Sequence, residues 1–228
     1  AVESSLDDQS PRLGASVQLR EDIVLTQDLY GVHRWGKDYL TVLENGHIGL
    51  KNPMKPTDAP VDLVSVVESL SQRGISSPLL LRVEEYLGYR LNLINNSFNH
   101  AIKTIGYQGG YRGVFPIKVN QQAQVVDRVV SYGKPHHFGL EVGSKPELLI
   151  ALAHQLSSEA VIICNGIKDA EFIRLALLSL RLGFKTILVL ESPKELGIVL
   201  NEAERLNIRP LLGVRIKLTR KMSGKWST

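Results

Sequence analysis

Lys118 closes the apolar run Val114-Phe-Pro-Ile117, and its type and setting are those of a residue capable of covalent chemistry. Desolvation beside another cation lowers a lysine's pKa and turns its amine into a nucleophile toward aldehydes. The plainer reading is a solvated lysine at the end of a strand. Glu141 ends the run His137–Val142 and is placed to counter Lys118 across adjacent strand ends. It would equally suit a surface position before a helix, where the helix dipole favours a carboxylate. Asn165-Gly166 follows another apolar run and reads equally as a turn. Glu191 ends the next run. Arg215 and Lys217 lie in the last one, where Arg215 is either a charge partner inside a site or a solvated strand residue. Cys164, the one cysteine, reads as a small buried apolar residue rather than a nucleophile. The six histidines form no HxxxH or HExxH spacing, so no metal site is expected.

These polar residues share one placement, at the ends of short apolar runs. Six such runs follow one another, at 78–83, 112–119, 137–142, 160–165, 185–191 and 210–218. Short, continuous apolar runs are what strands of a covered parallel sheet require. Helical stretches separate them, beginning with 84–104 and 121–132. Ser144-Lys-Pro-Glu147 has the form of a capping box with proline in the first turn, and Ser192-Pro-Lys-Glu195 repeats it. Asp169 caps the helix that Gly183 ends. GYQGGYRG (106–113) precedes a strand, whereas a phosphate-binding loop should follow one, so it reads as a connector.

The repeat predicts an α/β chain with an incomplete (β/α)8 TIM-type barrel of about six βα units, since a full barrel takes ~250 residues. Active sites of such barrels lie at the C-terminal strand ends, where the polar residues recur. Residues 77–228 form the partial barrel. Residues 30–76 form an N-terminal hairpin and helix: 39–43 alternates, Asn45-Gly46 marks the turn, 47–51 returns, and Asp62 opens a helix closed by Gly74. Residues 1–29 read as a leader with little periodicity.

Composition narrows the classes. In 228 residues, 43% are hydrophobic and 22% charged, which is globular rather than disordered composition. A single cysteine excludes an internal disulfide. No apolar run reaches the ~18 residues of a membrane span. The opening AVESSLDDQS is polar and acidic, unlike a secretory signal. The cytoplasm is the default location, an organellar form with its leader removed the alternative. Lys and Arg exceed Asp and Glu by 27 to 23. The basic stretch 214–228 reads as a solvated segment, with no nucleic-acid-binding pattern beside it.

Phe115-Pro-Ile-Lys-Val-Asn-Gln121, with YGVHRWGKDYLTVLENGH, GLEVGSKPEL and ICNGIKD, resembles the biosynthetic arginine decarboxylases, which are similar to alanine racemase and ornithine decarboxylase in their pyridoxal-phosphate barrel. The resemblance runs from about Tyr30 to Trp226. It implies that Lys118 is the Schiff-base lysine of pyridoxal 5'-phosphate and that Glu141 sits beside it. Glu147 and Arg215 match positions near the cofactor. It implies conversion of L-arginine to agmatine and carbon dioxide in polyamine synthesis, a magnesium requirement whose ligands are not placed, and a homo-oligomer. The last barrel strands, the phosphate loop and a C-terminal β-domain have no counterpart in this sequence. The expectation is therefore that the chain needs a C-terminal chain or second subunit, with the break after the sixth strand in Ser223–Thr228. Alternatives are a pyridoxal-phosphate carrier barrel, a degenerate regulatory subunit, and a diaminopimelate or carboxyspermidine decarboxylase.

Overall fold

The computed structural model describes residues 11–216, with side chains from residue 18 onward. Two compact units divide between Tyr86 and Leu87. The first opens with α1 (Pro11–Leu29) and α2 (Val32–Trp35). The expected leader, residues 1–29, is thus helical from Pro11 to Leu29, despite its weak periodicity. β1 (Leu40–Val42) and β2 (Ile48–Leu50) form the expected antiparallel hairpin, with Leu40 opposite Leu50 and Val42 opposite Ile48. The Gly46 N–H donates to the Leu43 carbonyl, and Gly46 takes φ 81°, a conformation open to glycine at little cost.

A third strand, β3 (Val61–Asp62), pairs with β2 and runs straight into α3 (Leu63–Gln72). Asp62 does two jobs. One carboxylate oxygen accepts from the Val64 and Ser65 N–H groups and caps α3. The other accepts from Asn45 Nδ2 (3.0 Å) and meets His47 Nδ1 at 2.8 Å. The His47 bond is the largest influence on the Asp62 carboxyl and holds it well below the usual carboxylate range.

The run 78–83 does not form the first barrel strand. It pairs with no neighbour, and Leu80 and Leu81 are 76% and 43% exposed. An apolar run carries a strand's burial signal but cannot supply the ladder partner that makes it one.

α4 (Glu85–Ile105) leads into the second unit. There β4 (Val114–Pro116), β5 (Gly139–Val142), β6 (Val161–Cys164), β7 (Lys185–Leu190) and β8 (Leu211–Val214) form one parallel sheet in sequential order. α5 (Ala123–Gly133), α6 (Lys145–Ala153), α7 (Ala170–Arg181) and α8 (Pro193–Leu206) alternate with them. This is the expected barrel architecture, left open: five strands, with β4 and β8 at the edges.

Strand side chains alternate between two faces, which sorts the sheet into a helix side and an inner side. Leu140, Val142, Ile162, Cys164 and Leu188 join Leu148, Phe172, Ile173, Leu177 and Val199 in one buried core. Ser179 and Thr186 are also buried, and their hydroxyls meet at 2.6 Å. The opposite parity leaves Val114, Pro116, Glu141, Val189 and Arg215 to the inner side.

Candidate functional site

That inner side opens, at the C-terminal strand ends, into a cavity of about 750 Å3. Lys118, Glu141, Glu147 and Arg215, each expected from the sequence, all line it, together with Asn165 and Gly166. Strand register is what assembles them. Pro116 pairs with Glu141, Val142 with Cys164, and Leu190 with Val214. The ladder continues through Asn165 N–H to the Val142 carbonyl (2.8 Å) and Arg215 N–H to the Leu190 carbonyl (3.1 Å).

The expected strand 112–119 ends early, at Pro116. Lys118 lies one step beyond, in a single 3-10 turn over Ile117–Val119. Ile117 turns into the core at 0% exposure, while Lys118 is exposed. Lys118 makes no hydrogen bond or ion pair among the described residues, so its expected pairing with Glu141 is not formed. Glu141 is 6% exposed and accepts instead from Asn165 Nδ2 at 2.9 Å. A neutral amide satisfies the buried carboxylate and leaves the amine free. Asn165 is therefore more than a turn residue.

Arg215 donates through Nη1 to both carboxylate oxygens of Glu191, at 3.1 and 3.2 Å. Glu191 also accepts from the Gly166 N–H (3.0 Å). Lys217 and the basic residues after it lie outside the described residues, as does the expected break at Ser223–Thr228.

The loops behind the strand tips follow a shared plan. Ser144 Oγ accepts from the Glu147 N–H (3.4 Å), as a capping residue should, but the Glu147 carboxylate reaches past it to the Gly143 N–H (2.7 Å). Glu147 also takes a long bond from Gln121 Nε2 (3.5 Å). Glu195 does the same two βα units later, accepting from the Glu191 N–H at 2.8 Å. The Ser192 side chain, expected to cap α8, makes no such bond; the Glu195 N–H goes to the Ser192 carbonyl. Asp169 does cap α7, accepting from the Phe172 N–H at 2.8 Å, and Gly183 ends that helix at φ 89°.

Lys168 was not singled out by the sequence. Its side chain is 0% exposed, and Nζ lies 3.2 Å from Glu195, itself 5% exposed. Nζ also donates to the Gly166 carbonyl, and the Lys168 N–H donates to Glu195 at 3.0 Å. Burial works to raise the Glu195 carboxyl. The Glu191 and Lys168 N–H groups, with the Lys168 ammonium, outweigh it and hold the carboxyl below its ordinary value. The available signal was a charged residue four positions past a buried strand, inside ICNGIKD.

Cys164 is fully buried in the core, and its thiol is pushed up to about 12, chiefly by burial. That fits the small apolar role and not a nucleophile. Among the described residues no three His, Cys, Asp or Glu side chains gather as metal ligands. The carboxylates at the cavity each accept from hydrogen-bond donors of the chain.

A lysine amine with no partner among the described residues thus lines a cavity at the strand tips of an open parallel barrel sheet, the end where such barrels place their sites. Residues 91–228 match the family described as pyridoxal-dependent decarboxylase, pyridoxal binding domain. The chain belongs to this family. It is 44% identical over 199 residues to a biosynthetic arginine decarboxylase of Gloeobacter violaceus, covering 87% of this chain and 31% of that protein. Against the enzyme of the same name from Thermosynechococcus vestitus, identity is 44% over 203 residues, 89% of this chain and 32% of the relative. The crystal structure of the biosynthetic arginine decarboxylase from Campylobacter jejuni superposes with a TM-score of 0.74 at 31% identity, over 83% of this chain and 31% of that one. The chain thus spans about a third of the length of these relatives.

The residues present fit the aldehyde end of pyridoxal phosphate. Lys118 offers an unpaired primary amine on a cavity whose size is within the ~300–1,000 Å3 of small-molecule sites.

Proposed function

We propose that this chain is the cofactor-binding part of an arginine decarboxylase, converting L-arginine to agmatine and carbon dioxide. The observation that carries the reading is the free Lys118 amine sharing one cavity with the buried Glu141, in a chain 44% identical to proteins named for that activity. In the reaction the bond from Cα to the carboxylate carbon breaks, carbon dioxide leaves, and a proton takes its place on Cα. Bound pyridoxal phosphate supplies the ring that accepts the electron pair left behind. Lys118 would hold the cofactor through Nζ, and its amine, on the same cavity, would be the group that the substrate amine replaces. Glu141, oriented by Asn165, would present its carboxyl group to the cavity that the amine also lines. Arg215, clamped by Glu191, presents a fixed cation to the cofactor's anionic groups. Glu147 fixes the Gly143 loop, which lines the cavity and would border the bound cofactor.

The same reading assigns a partner. Among the described residues β8 is an open edge, with Leu211, Leu212, Val214 and Ile216 exposed. An unpaired apolar edge calls for another strand, and relatives about three times as long have chain to provide it. We place the missing barrel strands, from a C-terminal segment or second subunit, on β8, in a homo-oligomeric enzyme. No helix among the described residues is long and apolar enough to cross a membrane.

The test is chemical. Incubation with pyridoxal phosphate, borohydride reduction and peptide mapping should place the pyridoxyl group on Lys118. The complete protein should form agmatine from arginine, and this chain alone should not reach its rate. Modification elsewhere, or no agmatine from the complete protein, refutes the reading.

A further inference from the structure

The Lys168–Glu195 pair has no place in the chemistry above, yet it is the one ion pair among the described residues with both side chains almost fully buried. Burying two charges is costly, and a pair of apolar side chains would often be as stable or more so. Their connections account for where the pair sits. Glu195 holds the Glu191 N–H, the residue whose carboxylate clamps Arg215. Lys168 Nζ holds the Gly166 carbonyl, while the Gly166 N–H returns to Glu191. Gly166 adjoins Asn165, whose amide orients Glu141. The turn has no slack: Gly166 is at φ 73°, and a Cβ there would meet the Gly143 carbonyl oxygen at 2.8 Å.

We propose that Lys168 and Glu195 are positioning residues, a buried electrostatic latch that ties the tips of β6 and β7 together and thereby sets Glu141 and Arg215 on the cavity. Neither side chain of the pair lines the cavity; both act through Gly166 and Glu191. The inference rests on the reading of the cavity as a pyridoxal-phosphate site. The latch also explains the backbone of NGIKD. With Lys168 drawn inward, Ile167 is left 89% exposed, an arrangement that hydrophobicity alone would reverse.

The test compares the complete protein with Lys168→Met, Glu195→Gln and the double variant. Removing one partner strands a buried charge and costs stability. The double variant removes both charges and keeps an acceptor oxygen for one of the two N–H groups, so it should lose less stability than either single variant. It should still carry a borohydride-fixed pyridoxyl group on Lys118. Its bound-cofactor absorption band should shift, and kcat should fall about tenfold or more, with a smaller change in KM, as expected when groups poised for the transition state are misplaced by ~1 Å. An unshifted band with kcat within twofold of the parent would show that the pair is only structural and overturn the proposal. If the parent itself is not modified at Lys118, the cavity reading fails first, and the latch falls with it for a separate and visible reason.

Discussion

The two units of this chain are built from different forces. The second has a core of buried side chains drawn from three strands, β5 to β7, and four helices, α5 to α8. In the first, Val32 and Val42 are the buried apolar residues among those described, and α3 buries none. Its order comes from directed polar contacts: the Asn45–Asp62–His47 cluster, and the Tyr86 hydroxyl donating to the Tyr39 and Lys51 carbonyls at 3.2 Å. Hydrogen bonds give direction but add little net stability, about 0.5–1.5 kcal/mol each. Packing gives the rigidity on which angstrom-scale chemistry depends. The cavity with Lys118 and Glu141 accordingly lies in the unit with the core.

This contrast can be broken or sharpened by experiment. Lys118→Ala should separate chemistry from packing most sharply. Loss of the amine proposed to bear the cofactor should lower decarboxylation in the complete protein by at least ~10²–10⁴-fold, the scale of a missing proton-transfer group alone. The melting temperature should hold, because Lys118 is exposed and pairs with no described residue. A parallel loss of stability would contradict the division. Leu177→Ala strikes the core instead. Leu177 is 0% exposed, so denaturant titration should show a loss of about 2–5 kcal/mol, with exchange protection falling across β5 to β7 rather than in the hairpin.

Gly166→Ala joins the two kinds of force. The positive φ alone costs about 1–2 kcal/mol for an alanine. The close Gly143 carbonyl must also give way, so calorimetry and agmatine formation should both register the change. The smallest effect concerns the first unit and acid. The Asp62 carboxyl is held low by His47, so its contribution is full above the unfolded value near 3.9 and is lost as pH falls through the depressed folded value. Exchange protection of the hairpin amides should therefore weaken on acidification below about pH 4. Asp62→Asn keeps an oxygen to cap α3 and should remove that dependence. An unchanged acid profile in this variant would mean that other groups order the unit.

Local signals marked much of this architecture. Periodicity set α4 and α5 within a residue or two, Asp169 and Gly183 bounded α7, and Asn45-Gly46 turned the hairpin. Each depends on neighbours along the chain, where spacing is visible. The run 78–83 failed because its strand character needed a partner that the described residues do not supply. β3 was hidden because two residues, Val61-Asp62, carry no period to detect.

The site divides the same way. The residue types at the strand tips, with Lys118 foremost, were set by sequence alone, since alternation assigns them to one face whatever the rest of the fold does. Which of them touch was settled only in three dimensions. Sequence offered Glu141 as the counter-ion of Lys118, and strand register gave it Asn165 instead. Lys168 and Glu195 stand 27 residues apart, and only the packing of α8 behind the β6 loop brings them together. Burial is a property of the folded chain, and it is burial that turns an ordinary lysine and glutamate into a latch.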